Sequence, residues 1–183
     1  MSDFRSLDLR AEARQGRFGA SSGEAGVSLS LIHPVSLVQV LVRKGGAKAV
    51  EAGLASVKSA RVMQGGPGQY YVQVAGWAEG ALAAELKARL EGKASIVDQS
   101  HGRVVIRVSG AKARAVLAKG MPLDLHADVF AVGQSAQTQM AHVGVHITRT
   151  GQGEFEISVF RGFSESLWEW LCMSSAEFGY QII

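Results

Sequence analysis

Apolar and polar residues follow two different periods along the chain, and together these periods predict a mixed α+β protein. Residues 27–32 alternate apolar and polar side chains in steps of two, the pattern of a half-buried strand. Residues 35–42 are almost wholly apolar, as in a strand buried on both faces. Residues 79–91 instead carry leucines at four-residue spacing, which predicts an amphipathic helix.

The order of the predicted elements indicates two ferredoxin-like βαββαβ halves. The first half has a strand, a helix, two strands joined by a Gly-Gly-Pro-Gly turn, a helix and a last strand. These elements are predicted at residues 35–42, 46–53, 61–64, 69–75, 79–91 and 94–98. The same order recurs at residues 103–108, 110–120, 138–148, 154–160, 164–174 and 178–183.

Two short matches between the halves support an internal repeat. Gly-Ala-Lys-Ala occurs at residues 46–49 and again at 110–113, each time at the start of the first predicted helix. Gly-Trp-Ala-Glu at 76–79 resembles Gly-Phe-Ser-Glu at 162–165, each at the start of the second helix. We therefore predict an extended N-terminal arm, a first half, and a second half with an inserted loop near 121–134. These three parts cover residues 1–26, 27–100 and 101–183.

Composition narrows the class of protein. The chain has 183 residues, of which 47% are hydrophobic and 19% charged, and this is globular rather than disordered composition. The single cysteine, Cys172, excludes an internal disulfide and a cysteine-based structural zinc site, and its apolar helical neighbours predict an inert buried thiol. No apolar run approaches the length of a membrane-spanning helix, and the charged N-terminus lacks an apolar signal core. We therefore expect a cytoplasmic protein.

The net charge of +3 is too small to indicate nucleic-acid binding by itself. The signs separate in the last part of the chain, however, where five basic residues precede every acidic one. These are Arg103, Arg107, Lys112, Arg114 and Lys119. The run fits an anion-facing basic surface, and it also fits a basic strand and helix packed beside an acidic helix. Tyr70 and Tyr71, the one aromatic pair on a predicted strand, face opposite ways, which argues against RNA binding.

Histidines and acids offer two candidate sites. His142 and His146 are four residues apart, but the alternation around them predicts a strand, on which they lie roughly 13 Å apart and cannot share a metal ion. We expect both to face outward. Asp124, His126 and Asp128 alternate and share one face of an extended backbone. They could relay protons or bind a cation, or they could cap the turn into the inserted loop.

Phosphate-binding motifs are absent from the sequence. The Gly-rich segment at residues 65–68 lacks the Gly-Lys-Ser/Thr ending of a P-loop, and no GxGxxG opens a helix after a strand. We therefore expect no flavin or nicotinamide site on this chain.

The helix predicted at residues 164–174 has an unusually wide apolar side. Leu167 and Leu171 lie at its centre, Trp168 and Trp170 flank them, and the apolar arc reaches about 200°, whereas a surface helix needs about 100°. One interpretation is contact on two sides, with the fold and with a partner protein, because tryptophan is a common interface anchor. The other is a helix sandwiched deeply within the fold.

An ordered set of short motifs also lies between residues 122 and 171. It comprises Pro-Leu-Asp-Leu-His at 122–126, Gln-Thr at 137–138, Ala-His-Val at 141–143, Arg-Thr-Gly at 149–151, Phe-Glu at 155–156, Arg-Gly-Phe-Ser-Glu-Ser at 161–166 and Leu-Trp-Glu-Trp-Leu at 167–171. With Gly-Arg-Phe-Gly-Ala at 16–20 and Ala-Gly-Val at 25–27, this set resembles the gamma subunits of heterotetrameric sarcosine oxidases.

The resemblance implies a non-catalytic subunit of a complex that oxidatively demethylates sarcosine to glycine. The complex passes the one-carbon unit to tetrahydrofolate and releases hydrogen peroxide. The resemblance implies an alpha subunit as the direct partner, with beta and delta subunits in the same complex. FAD, FMN, NAD, zinc and tetrahydrofolate would belong to those partners. Arg161, Phe163, Trp168 and Trp170 are the residues we expect at the partner interface.

A second resemblance leaves an alternative open. Residues 149–156 look like a shortened form of the RTGYTGEDGFE motif of folate-dependent aminomethyltransferases, with the central part contracted. The resemblance implies an aminomethyltransferase-like fold, and it would make Arg149 and Glu156 folate-binding residues of a stand-alone folate-binding protein or enzyme. The catalytic acid of that family has no counterpart that we can identify here.

Overall fold

The computed structural model describes residues 15–20 and 24–183, and these form a mixed α+β structure with two sheets. Most of the predicted arm at 1–26 lies outside the described residues. In chain order the main elements are β1 (Gly16–Phe18), β2 (Val27–Leu31), β3 (Val35–Val42), α1 (Ala47–Ala55), β4 (Arg61–Gly66), β5 (Gln69–Ala75), α2 (Ala81–Arg89), β6 (Ala94–Asp98), β7 (Arg103–Ser109), α3 (Ala113–Ala118), β8 (Ser135–Met140), β9 (Val143–Gly151), β10 (Glu154–Phe160), α4 (Ser164–Ser175) and β11 (Tyr180–Ile182).

The chain divides into two compact units. Residues 33–103 form one of them, which we call the contiguous unit. The other joins residues 1–32, as far as they are described, to residues 104–183, and we call it the discontinuous unit. No helix in the described part of the chain is long and apolar enough to cross a membrane.

The contiguous unit is a four-stranded sheet in the order β4-β5-β3-β6, in which each neighbouring pair is antiparallel. The central strand β3 is apolar along its length because it has a partner on both sides. Val38 and Val40 on β3 are fully buried, and they share a core with Leu54 of α1 and Leu86 of α2. The leucine spacing predicted α2, which begins two residues later than expected because Gly80 before it has a positive φ of 74°.

The discontinuous unit is a seven-stranded sheet in the order β1-β11-β2-β7-β10-β9-β8. The pair β2–β11 is parallel, whereas β1–β11, β2–β7, β8–β9 and β9–β10 are antiparallel. Its core combines Leu29 of β2, Ile106 of β7, Ile157 of β10 and Leu167 of α4, all at most 1% exposed. The strand β2, from the N-terminal part of the chain, therefore lies between strands β7 and β11 of its C-terminal part.

The structure corrects the sequence prediction at two strands. The strand expected at 138–148 is two strands, β8 and β9, joined by a two-residue turn at Ala141-His142 with φ of 48° and 68°. Such turns are usually signalled by Asn-Gly or Asp-Gly, and Ala-His carries no such signal. The strand at residues 27–31, expected in the first half, instead pairs with β7 and β11 of the discontinuous unit. Alternation predicts a strand but not its partner, so periodicity alone misassigned it.

Candidate functional site

A cavity of about 460 Å³ lies inside the discontinuous unit. Three connections surround it: the turn from β7 into α3, the loop at residues 121–134, and the turn between β9 and β10. Gly110 and Arg114 line it from the first connection, Leu125 from the second, and Gln152 from the third. Arg149 of β9 and Phe155 of β10 also line the cavity.

Arg149 fastens the 121–134 loop to the sheet. Its guanidinium is buried, at 5% exposure, and donates to the backbone carbonyl of Phe130 at 2.8 Å. Its backbone also bonds the end of the loop, since Gly133 N donates to Arg149 O at 2.8 Å and Arg149 N donates to Gln134 O at 3.0 Å. The loop carries no helix or strand of its own, so these bonds to Arg149 are a main source of its order.

The remaining contacts of Arg149 lie in the turn after β9. Nε donates to the carbonyl of Gly151 at 3.3 Å, and Nη2 donates to Oε1 of Gln152 at 2.8 Å. Every one of these acceptors is a neutral oxygen. Among the described residues, no carboxylate pairs with Arg149, although an arginine is always charged at neutral pH.

Arg114 supplies a second positive charge to the cavity. It extends from the solvent-exposed side of α3, and within the described part of the chain it makes no hydrogen bond or ion pair. Gln152 uses its amide oxygen to accept from Arg149, so its amide nitrogen is left as a donor. No acidic side chain lines the cavity among the residues described. The cavity is therefore cationic, with apolar walls from Leu125 and Phe155.

Glu156 belongs to a separate polar cluster. In the β9–β10 register, Arg149 lies opposite Phe155 whereas Glu156 lies opposite Thr148, and consecutive strand residues face opposite sides of the sheet. Glu156 is 3% exposed and accepts a hydrogen bond from Nη2 of Arg107 at 2.9 Å. The structure thus does not bring Arg149 and Glu156 together as one ligand-binding pair.

The same cluster contains Glu154. Its Oε1 lies 3.7 Å from Nε of Arg107 and accepts a 2.7 Å hydrogen bond from Oγ1 of Thr150. Arg107 therefore faces two carboxylates and is well compensated, in contrast to Arg149. The cluster requires no further anion to balance Arg107.

The residues expected at a partner interface divide into buried and exposed positions. Trp168 is only 4% exposed and packs in the core of the discontinuous unit, so its ring is not available at the surface. Trp170 is partly buried, and a Cβ placed on Gly120 would come within 2.6 Å of its ring. Phe163 is 53% exposed, and Arg161 is partly buried in the same short turn before α4.

An exposed apolar stripe remains on α4. Phe163, Ser166, Trp170 and Met173 are spaced by three, four and three residues, which places them along one side of a helix. Phe163 is 53% and Met173 is 69% exposed. We call these four residues the α4 stripe. Leu167 and Trp168 thus face the core of the discontinuous unit, whereas Phe163 and Met173 of the stripe are exposed.

The structure corrects the prediction that His142 and His146 are both outward-facing strand residues. His142 lies in the tight turn between β8 and β9 rather than on a strand, and His146 is 2% exposed rather than outward-facing. The expectation of exposure failed at His146 because residues 145–149 of β9 are buried on both faces of the strand. Cys172 is buried, as predicted.

The Asp124-His126-Asp128 group forms a loop turn. Oδ1 of Asp124 accepts from the backbone N–H of His126 at 2.8 Å, and Nδ1 of His126 lies 3.4 Å from Oδ2 of Asp128. The Asp124 bond is the capping arrangement offered as the structural alternative. No group of three or more metal-ligating side chains occurs in the described part of the chain.

The five basic residues before the acidic segment do not act together. Arg103 lies 5.1 Å over the ring of Tyr71, within the contiguous unit, where burial lowers the pKa of its guanidinium. Lys119 pairs with Glu177 and lies 4.8 Å over the ring of Phe178. Of the five, only Arg114 lines the cavity. The basic run in the sequence signalled Arg114, but nothing in the sequence singled it out from the other four.

Comparison with solved structures first defines the class of fold. The chain is similar to aminomethyltransferase T of the glycine cleavage system from Bartonella henselae, with a TM-score of 0.65 at 21% identity. That match covers 93% of this chain and 57% of the transferase chain. It is also similar to a chain of the heterotetrameric sarcosine oxidase from Corynebacterium sp. U-96 in complex with pyrrole 2-carboxylate. There the TM-score is 0.81 at 25% identity, over 97% of this chain and 95% of that one.

The family follows from the sequence comparisons. The model of the sarcosine oxidase, gamma subunit family matches residues 44–177, so the chain belongs to that family. Sarcosine oxidase subunit gamma of Corynebacterium sp. strain P-1 is 35% identical over 124 residues, which are 67% of this chain and 60% of the relative. Sarcosine oxidase subunit gamma of Arthrobacter sp. is 36% identical over 98 residues, 53% of this chain and 48% of the relative. The matched segments thus span about half of these curated relatives. The resemblance drawn from residues 122–171 is confirmed.

Proposed function

We propose that this chain is a non-catalytic, cytoplasmic gamma subunit of a heterotetrameric sarcosine oxidase. The assembly would oxidatively demethylate sarcosine to glycine, transfer the one-carbon unit to tetrahydrofolate and release hydrogen peroxide. The observation that carries the proposal is the family match over residues 44–177, supported by the structural similarity to a chain of a heterotetrameric sarcosine oxidase over 97% of this chain.

We propose that the alpha subunit is the direct partner and that the α4 stripe contacts it. An exposed apolar surface on an otherwise well-packed helix is typical of a protein interface. Aromatic residues and methionine are also enriched at the centres of interfaces. Phe163 and Met173 supply exposed apolar area, Trp170 extends it inward, and Arg161 lies beside Phe163. Trp168 would act indirectly, by holding α4 against its own core.

Co-expression with the alpha, beta and delta subunits of the same host tests this proposal. We expect the tagged chain to co-purify with all three in a flavin-absorbing complex of the expected subunit masses. The double variant Phe163→Glu and Met173→Glu should co-purify at least about tenfold less, because it places two charges in an apolar contact. Val62→Glu, at a 39% exposed apolar position in the contiguous unit, is the matched control and should assemble normally.

Two results would count against the proposal in different ways. A chain that recovers none of the three co-expressed subunits would refute the subunit function itself. Normal assembly of the double variant would leave the subunit function intact and remove the α4 stripe from the interface.

We also propose that FAD, FMN, NAD, zinc and tetrahydrofolate are held by the partner subunits. For folate, the support is that Arg149 and Glu156 lie on opposite faces of the hairpin, with Glu156 paired to Arg107, so the two residues do not face one ligand site. Calorimetric titration of the purified chain with tetrahydrofolate should give no heat. Saturable heat that is lost in Glu156→Ala would instead favour the stand-alone folate-binding alternative.

The two units, we further propose, are ferredoxin-like halves of an internal repeat. The elements β3-α1-β4-β5-α2-β6 and β7-α3-β9-β10-α4-β11 follow the same order along the chain, with β8 as an additional strand between α3 and β9. The sheet order β6-β3-β5-β4 corresponds to β2-β7-β10-β9, so β2 takes the place beside β7 that β6 takes beside β3. The strand β11 is then displaced one position outward and pairs with β2.

The repeated glycines agree with that correspondence. A Cβ on Gly46 would meet the carbonyl oxygen of Lys93, just before β6, at 2.4 Å. A Cβ on Gly110 would meet the carbonyl oxygen of Gly26, just before β2, at 2.5 Å. Each Gly-Ala-Lys-Ala segment thus begins where a glycine lets the backbone of the neighbouring strand approach closely.

A further inference from the structure

We infer that the cavity beside Arg149 is a binding site for a small organic carboxylate, a function separate from subunit assembly. The carboxylate would pair with Arg149 and Arg114, and its apolar body would lie against Leu125 and Phe155. The site belongs wholly to the discontinuous unit of this chain.

Arg149 carries a buried positive charge that no described carboxylate balances. A buried cation without a counter-charge is costly, because neutral carbonyl oxygens replace its hydration only in part. Arg149 is 5% exposed, and its acceptors are three backbone carbonyls and the amide of Gln152. Arg107, on β7 of the same sheet, shows the usual solution, since it faces the carboxylates of Glu154 and Glu156. An incoming carboxylate would give Arg149 the counter-charge that no described residue of the chain supplies.

Several hydrogen-bond donors at the cavity have no acceptor among the described residues. A guanidinium has five N–H groups. Nε of Arg149 bonds Gly151 O, Nη1 bonds Phe130 O at 2.8 Å and Ala127 O at 3.5 Å, and Nη2 bonds Gln152. Among the described residues, one N–H on Nη2 therefore has no acceptor, and neither do the amide nitrogen of Gln152 and the guanidinium of Arg114. Such a set of donors suits a carboxylate, which accepts up to about four hydrogen bonds.

The size and polarity of the cavity also suit a small carboxylate. Pockets for small molecules commonly measure about 300–1,000 Å³ and combine apolar walls with a few polar groups. This cavity measures about 460 Å³, and its lining combines Leu125 and Phe155 with the polar side chains of Arg114, Arg149 and Gln152. A single carboxylate side chain from a partner protein would leave most of that volume empty. A free carboxylate with a short apolar body fits both the charge and the volume.

Titration of the ¹⁵N-labelled full chain tests the inference. Hexanoate is the probe, hexanamide is its uncharged analogue, and inorganic phosphate supplies negative charge without an apolar body. We expect hexanoate to give saturable shifts at the side-chain N–H signals of Arg149, Arg114 and Gln152. Hexanamide should give none at equal concentration, and phosphate should bind about tenfold more weakly than hexanoate.

Variants localise the effect without disturbing the loop. Arg149→Ala would release residues 121–134, so Arg114→Ala is the informative change, because Arg114 is exposed and bonds no described residue. It should weaken hexanoate binding by about tenfold or more. Gln152→Ala should weaken it by a smaller factor. Lys48→Ala, which removes an equally exposed positive charge from the contiguous unit, should change nothing.

The outcomes separate cleanly. Tight binding of hexanoate that Arg114→Ala weakens and Lys48→Ala spares supports the site. Equal shifts with hexanamide, equal weakening by Arg114→Ala and Lys48→Ala, equal affinity for phosphate, or no saturable shift would each overturn it. Neither result depends on co-purification with other subunits, so failure here leaves the proposed subunit function untouched.

Discussion

The two units have similar element orders but are assembled differently along the chain. The contiguous unit takes all its strands and helices from residues 33–103, so its sheet closes with nearby sequence. The discontinuous unit places β2, from before residue 33, between β7 and β11, from after residue 102. It also holds the cavity, the Arg107 cluster and the α4 stripe. The unit with candidate chemistry is thus the one that depends on distant chain segments.

The largest expected effect is obtained by cutting the chain between the units. A fragment of residues 33–103 should fold cooperatively, because its sheet and both helices are complete and Trp77 reports on its core. A fragment of residues 104–183 should not fold. It lacks β2, which lies between β7 and β11 in the sheet, and loss of Leu29 would expose the core residues packed around it. Circular dichroism and urea unfolding measure both. A cooperative transition in the 104–183 fragment would show that β2 is dispensable.

Within the discontinuous unit, removal of the buried Trp168 ring of α4 and of the exposed Phe163 ring just before α4 should have different effects on stability. Trp168→Ala should lower the free energy of unfolding by about 3–5 kcal/mol, because it removes a 4% exposed ring from the core. Phe163→Ala, at a 53% exposed ring, should change it by at most about 0.5 kcal/mol. Urea unfolding followed by near-ultraviolet circular dichroism compares them. Equal losses would mean that the two positions are not distinguished by burial.

Glycines with positive φ allow a smaller comparison between the units. Gly110→Ala should destabilise the discontinuous unit by about 3 kcal/mol, since φ is 116° and the new Cβ would lie 2.5 Å from Gly26 O. Gly45→Ala, in the contiguous unit, has φ of 77° but no atom within 4 Å, and should cost about 1 kcal/mol. Thermal unfolding of each variant measures the difference. If Gly45→Ala costs as much as Gly110→Ala, close approach to β2 is not what requires Gly110.

The smallest expected effect is an alkaline one in the contiguous unit. Burial, and then the nearby charge of Glu51, raise the pKa of Tyr70, whose hydroxyl donates to Oε1 of Glu51 at 3.3 Å. The folded state therefore holds this proton more tightly than the unfolded state. The resulting stability is complete below the ordinary tyrosine pKa of about 10, and it is lost as the pH rises through the folded value.

Tyr70→Phe should consequently flatten the fall of stability above about pH 10. Glu51→Gln should reduce the same slope in part, because it removes the second cause of the raised pKa. Urea midpoints measured from pH 8 to 11 give the slope. An unchanged slope in Tyr70→Phe would contradict the assignment.

The elements that follow from local pattern were predicted well, and those that depend on partner choice were not. The leucine spacing around Leu86 predicted α2, and the run at 35–42 predicted the central strand β3. The turn at Ala141-His142 escaped because neither residue usually adopts positive φ, so the one expected strand is two. His146 was assigned to the surface from the alternation around it, but β9 is buried on both faces at this position.

The candidate site was accessible to sequence reasoning only in fragments. Arg149 was singled out through the resemblance of residues 149–156 to a folate-related motif, but its partner there, Glu156, lies on the other face of the hairpin. Arg114 was one of five basic residues, and Gln152 was included only as part of the motif at residues 149–156. The loop that closes the cavity was predicted as an insertion at 121–134, without any indication that Arg149 fastens it.

The sequence by itself determined the α+β class, the helices, most strands, and membership in the gamma subunit family, because each is encoded in local periodicity or in short ordered motifs. Only the tertiary structure decided that β2 pairs with β7 and that Trp168 is buried while Phe163 is exposed. It also decided that Arg114 and Arg149 line the same cavity. These arrangements depend on which distant segments pack together. Apolar side chains can be buried against any apolar surface, and a strand's backbone can pair with any other strand. The local pattern therefore leaves the choice of partner open.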